Sequence, residues 1–104
     1  KMDFWKFHKW YTARDCKCHY CGITEDKISK LIDRGQIITK RLLTRGRKLE
    51  IDRKDPNLPY DEISNLVLCC YWCNNAKTDE FSIQEFLPIG KLISNIWAKR
   101  LTEL

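Results

Sequence analysis

The sequence predicts a single α+β domain, and three observations carry that prediction. Two cysteine pairs, Cys18-His-Tyr-Cys21 and Cys70-Tyr-Trp-Cys73, stand forty-eight residues apart, too far for one compact finger. Between them lie two short strand-like runs, one alternating at Leu49-Glu50-Ile51-Asp52 and one apolar at Leu66-Val67-Leu68. Outside the pairs the apolar residues recur at helical spacing. The expected organisation is an N-terminal helix over 1–15, a cysteine-clipped core over 16–86 and a C-terminal helix over 87–104.

Taken in order, residues 2–14 place Phe4, Phe7 and Tyr11 on one face of an amphipathic helix, with Trp5 and Trp10 flanking. Thr24 can cap a second helix that runs through Arg34, carries Ile28, Leu31 and Ile32 inward, and stops at Gly35. Ile37–Leu43 is ambiguous between helix and strand. Arg45-Gly46-Arg47 reads as a turn. Asp55-Pro56-Asn57-Leu58-Pro59 reads as loop, because two prolines and an Asx-turn former interrupt regular pairing. The second cysteine pair opens a short helix to about Asp79. Ser82-x-x-Glu85 has capping-box form, Pro88 sits where a helix can begin, and Ile89, Leu92, Ile93, Ile96, Trp97 and Leu101 make a stripe expected in the core.

Each Cys-x-x-Cys turn can hold two thiolates on one tetrahedral centre, so the spacing points to one structural zinc on Cys18, Cys21, Cys70 and Cys73. A bound ion would supply folding free energy that a 104-residue core has in short supply. Three disulfides are the alternative use of six cysteines. The paired spacing and the absence of a secretory pattern at Lys1–Lys6 favour reduced thiols in a cytoplasmic setting. No apolar run approaches the roughly 18 residues a membrane span needs, so no membrane role is expected. The net charge is +5, and the window from Gln36 to Lys54 carries all of it: Lys40, Arg41, Arg45, Arg47, Lys48, Arg53 and Lys54 face only Glu50 and Asp52. Such a stripe suits a polyanion such as nucleic acid, with a solvated charged face as the plainer alternative.

In order, then, come a strand with Asp52-Arg53, a loop, Asn65 before a second strand, and Cys70-x-x-Cys73-Asn74-x-x-Lys77 on a helix. This stretch resembles the HNH endonuclease motif in its four-cysteine zinc form, over roughly residues 16–86. The resemblance implies a ββα-metal core of bacterial or phage type. It also implies a catalytic Mg²⁺ or Mn²⁺ held by Asp52 and Asn74, with Asn65 bracing the loop. Its register favours Cys18 and Cys70 as zinc ligands and leaves Cys16 and Cys69 as free thiols, a one-residue slip at Cys69/Cys70 being the alternative. Lys77 is either a solvated helix residue or a phosphate contact.

Where most of the family carries a histidine, this chain has Arg53. Arginine stays charged and cannot take a proton from water, so its expected part is to clamp a phosphate oxygen. The proton would then go to a cation-activated water or, second, to Tyr60. His8 and His19 are read as structural or surface residues, and Tyr71 as a packing residue. Two functions follow: a metal-dependent endonuclease acting on nucleic acid, DNA before RNA, or a catalytically silent zinc-stapled binding domain on the same scaffold.

Overall fold

The short strand after Leu49 finds its partner because both runs carry apolar residues in matching register. In the computed structural model, which describes residues 4–37, 46–55, 57–58 and 63–102, β1 (Glu50–Arg53) pairs antiparallel with β2 (Leu66–Cys69). The register sets Glu50 opposite Cys69, Asp52 opposite Val67 and Arg53 opposite Leu66. All four residues of β2 are buried, whereas β1 buries only Asp52. A strand covered on every side reads as an unbroken apolar run, which is what Leu66-Val67-Leu68 is. A single 3₁₀ turn, Ile63–Asn65, leads into β2.

Helix α3 (Tyr71–Lys77) follows at once, with Cys70 as its N-cap and the Cys70 sulfur accepting from the Cys73 N–H at 3.3 Å. It stops two residues short of the Asp79 expected. Thr78 adopts φ 55°, a left-handed conformation that a β-branched residue tolerates at a cost of about 1–3 kcal/mol, and its N–H closes on Asn74 O. That turn carries Asp79 back toward β1.

The flanking helices are α1 (Phe4–Thr12), α2 (Glu25–Asp33) and α4 (Ile83–Thr102). Thr24 caps α2 as expected, accepting from Lys27 N at 3.2 Å, and Ile28 and Leu31 are fully buried. The ambiguous Ile37–Leu43 stretch is described only at Ile37, which is buried; its other residues lie outside the described ones. Two polar ties anchor α2. Glu25 accepts from the Leu49 N–H at the entry to β1, and Gln36 and the Arg100 end of α4 exchange side-chain to carbonyl hydrogen bonds.

Two expectations for the helices need correction. The C-terminal helix starts at Ile83, not 87, because the Ser82/Glu85 box closes reciprocally: Ser82 N donates to Glu85 Oε1 at 3.0 Å and Glu85 N to Ser82 Oγ at 3.2 Å. Pro88 therefore sits inside the helix. The apolar stripe of α4 is also split. The face turned inward is Phe86, Gly90, Ile93, Trp97 and Leu101, while Ile89, Leu92 and Ile96 are 42%, 64% and 49% exposed. Helix α1, amphipathic as expected, buries no residue at all, and Phe4 and Trp5 are largely exposed. Helical periodicity marks an apolar face but does not say whether anything covers it.

The core gathers Tyr20, Ile23, Ile28, Leu31, Val67, Phe86 and Trp97 around the cysteines. Tyr20 packs edge-on against Phe86 and Trp72 against Trp97, with ring centroids 5.2 and 5.4 Å apart. At the crossing of α4 over the first cysteine turn there is no room for a side chain: a Cβ on Gly90 would lie 2.5 Å from the Tyr20 carbonyl oxygen.

Candidate functional site

The two cysteine turns arrive at one place because β2 delivers Cys70 directly under the first turn. There the His19 N–H donates to Leu68 O at 2.8 Å. Gly22, at φ 76°, lets the chain leave the first turn in a conformation that side-chain-bearing residues resist. The sulfurs of Cys18, Cys21, Cys70 and Cys73 all lie within 4.8 Å of one another, and all four residues are buried. A tetrahedron with metal–sulfur bonds of about 2.3 Å has edges of about 3.8 Å; Cys21 Sγ and Cys70 Sγ are 3.7 Å apart. Cys18 is held well below the ordinary thiol range by hydrogen bonds from Cys21, Cys70 and Cys73, so a thiolate is already favoured in the cluster. The residues fit a four-cysteine zinc site. Cys69 lies outside the cluster, where burial and then Asp52 push its thiol up, and Cys16 is exposed.

Above this staple, β1 and α3 pair their polar residues one for one. Glu50 and Asp52 lie two apart on a strand and so share a face; Asn74 and Lys77 lie three apart on a helix and do the same. Asn74 Nδ2 donates to Glu50 Oε1 at 2.8 Å, and Lys77 Nζ lies 3.1 Å from Asp52 Oδ2. A third group comes from the zinc turn: Tyr20 Oη donates to the same Oδ2 at 2.7 Å. Burial and then the Asp52 hydrogen bond push the Tyr20 phenol above its ordinary range, so it carries its proton at neutral pH. One oxygen of Asp52 and the nitrogen of Asn74 are thus committed. Neither Oδ1 is hydrogen-bonded to a described residue, which leaves one carboxylate and one amide oxygen, hard donors suited to a divalent cation.

Lys77 departs from its expected place. It is fully buried, paired with Asp52 and donating to the Arg53 carbonyl at 3.1 Å, so it is neither solvated nor available to a phosphate. Arg53 reaches the other way, donating to Leu58 O at 3.2 Å and pairing with Asp79 at 3.3 Å. Asn65 clasps Asp55 by both groups of its amide, accepting from Asp55 N at 2.9 Å and donating to Asp55 O at 3.0 Å, which fixes the start of the loop. Of the basic stripe, Arg47 pairs with Asp33 and Lys48 with Glu25. Lys40, Arg41 and Arg45, like Tyr60, lie outside the described residues. Lys54 stands apart near His19, whose imidazole burial and then the Lys54 charge hold below its usual range.

Two residues of this corner were not singled out from the sequence. Glu50 had a usable signal, since it shares a strand face with Asp52. Tyr20 had none: it lies 32 positions before Asp52 and meets it only through the staple.

Hairpin, following helix and cysteine cluster together define a zinc-stapled ββα unit. No family model matches the chain, and a search of curated proteins finds no match. Among solved structures it is similar to the rare-cutting HNH restriction endonuclease PacI, with a TM-score of 0.73 and 30% identity over 96% of this chain and 67% of that one. The chain belongs to the HNH family.

Proposed function

We propose that this protein is a metal-dependent endonuclease that hydrolyses phosphodiester bonds in DNA, with zinc on the four cysteines as a structural ion. The observation that supports it most is the pair of free Oδ1 atoms on Asp52 and Asn74, each on a side chain anchored by its other atom, in a chain of the HNH family. Mg²⁺ or Mn²⁺ held by these residues would neutralise charge building on the scissile phosphate and the leaving oxygen. The chain's own groups do the rest. Tyr20 and Lys77 fix the rotation of Asp52 by gripping Oδ2 from two sides. Glu50 fixes Asn74, and Asn65 holds the loop beside β1. Arg53 clamps a phosphate oxygen on exchanging its contacts to Leu58 O and Asp79.

One observation favours the second reading, a silent binding domain. The Lys77 ammonium already balances the Asp52 carboxylate, and Arg53 is engaged within the protein. Nicking of supercoiled plasmid with and without Mg²⁺ or Mn²⁺ separates the two. The expected result is cation-dependent cleavage that rises toward alkaline pH, is abolished in Asp52→Ala, is strongly reduced in Asn74→Ala and Arg53→Ala, and leaves zinc content unchanged. A wild type inert with every cation, beside an Arg53→His variant that cuts, would make the protein a silenced nuclease.

A further inference from the structure

Four cations from three separate stretches of sequence converge on one cleft. Arg14 follows α1, Lys17 precedes the zinc turn, Lys54 follows β1 and Lys91 lies on α4. The cleft measures about 660 Å³, and among the described residues Asp15 is the one carboxylate that lines it. No single run in the sequence announces it, and of the basic stripe only Lys54 lines it among the described residues.

What distinguishes these four is that they share one concave wall and none is spent on a described carboxylate. Arg47, Lys48, Arg53 and Lys77 each have a carboxylate within 4.0 Å. Among the described residues, none of the four cleft cations has one, and Arg14, Lys17 and Lys91 are exposed. Like charges gathered in a concave wall raise a local positive potential that an anion relieves, and several cations in one groove suit a polyanion better than a single phosphate. The cleft also shares a wall residue with the site already described. Tyr20 lines it, and the Tyr20 hydroxyl is the group that touches Asp52.

We propose that this cleft, one residue away from the Asp52 corner, carries the phosphodiester backbone of DNA, with Arg14, Lys17, Lys54 and Lys91 as the phosphate contacts. The inference rests on the nuclease reading for its choice of polyanion. The test is anisotropy of a labelled DNA duplex with zinc-loaded protein and no added divalent cation, over a salt series. It compares wild type, Arg14→Gln/Lys17→Gln/Lys91→Gln, and a charge-matched control on α2 and α4, Lys27→Gln/Lys30→Gln/Lys99→Gln. A Lys17→Gln/Lys91→Gln double variant guards against loss of the Arg14 packing on Trp10.

Each phosphate contact removed lowers the slope of log K against log salt by about 0.9, so the cleft triple should lose about 2.7 in slope and about ten-fold or more in affinity at 0.1 M salt, with the control near wild type. Equal behaviour of the cleft and control variants would overturn the proposal, as would displacement of the duplex by poly-glutamate at equal charge. Cleavage with Mn²⁺ is read on the same proteins. Cleft-dependent binding without cleavage by the wild type upholds the cleft and removes the nuclease reading. Cleavage and binding that both survive in the cleft triple remove the cleft and uphold the nuclease.

Discussion

Lys77 ends α3 with its ammonium between Asp52 Oδ2 and the Arg53 carbonyl, fully out of water. A buried charge pair adds little over an apolar pair, yet removing one partner strands the other, at about 3–5 kcal/mol. Lys77→Met should therefore destabilise the protein by about that much in urea unfolding, and added Mn²⁺ should restore part of the loss by replacing the missing positive charge beside Asp52. A variant as stable as wild type, and indifferent to Mn²⁺, would show that Asp52 does not depend on Lys77. At the cleft wall His19 offers a second reading at this scale. Its folded-state pKa lies below the ordinary 6.5, so the unfolded chain takes the proton more readily. The stability it contributes is present above about pH 6.5 and is lost as pH falls through the folded value. NMR titration of the imidazole should give a midpoint below 6.5 that moves upward in Lys54→Met, since the neighbouring charge is removed while burial remains.

Among the elements, α4 decides how Tyr20 is held. Gly90 is the point of closest approach, and two effects of opposite sign meet there. Alanine is favoured over glycine within a helix by about 1 kcal/mol. A Cβ 2.5 Å from the Tyr20 carbonyl oxygen, against backbone that cannot rotate away, costs about 1–3 kcal/mol. The clash wins, so Gly90→Ala should lower the melting temperature and reduce cleavage further than stability alone explains, because Tyr20 carries the hydrogen bond to Asp52. Equal or higher stability in the variant, with unchanged activity, would remove α4 from the positioning of that residue.

For the whole molecule the staple outweighs any single contact. A structural zinc contributes about 10–16 kcal/mol in small zinc domains, comparable with the 5–15 kcal/mol total stability of a typical domain. One zinc per chain should be found by elemental analysis. Its removal by a chelator should unfold the hairpin and α3 together, since Cys70 and Cys73 bind from the junction between β2 and α3, and circular dichroism reads that loss. Protein that stays folded without zinc would show that apolar burial suffices. The same scale holds exposed apolar side chains on the outer face of α4, at Leu87, Ile89, Leu92 and Ile96, and on α1, at Phe4, Trp5 and Tyr11. No described helix is long and apolar enough to cross a membrane.

Much of this was legible in the sequence because it depends on neighbours. The Thr24 cap, the Ser82/Glu85 box, the strand runs and the paired cysteines all arise from residues within a few positions of each other. Their chemistry acts wherever the rest of the chain goes. The sequence therefore determined the main elements and the zinc-type cluster, and it set Asp52, Asn65 and Asn74 in the order of the motif it resembles. Tertiary structure alone decided which cations are spent on internal carboxylates and which are left facing solvent, because charge pairing depends on distance through space. It buried Lys77, tied up Arg47 and Lys48, and brought Arg14, Lys17, Lys54 and Lys91 to one cleft. It also brought Tyr20 to Asp52, across 32 residues, through a clip whose spacing was visible but whose direction was not.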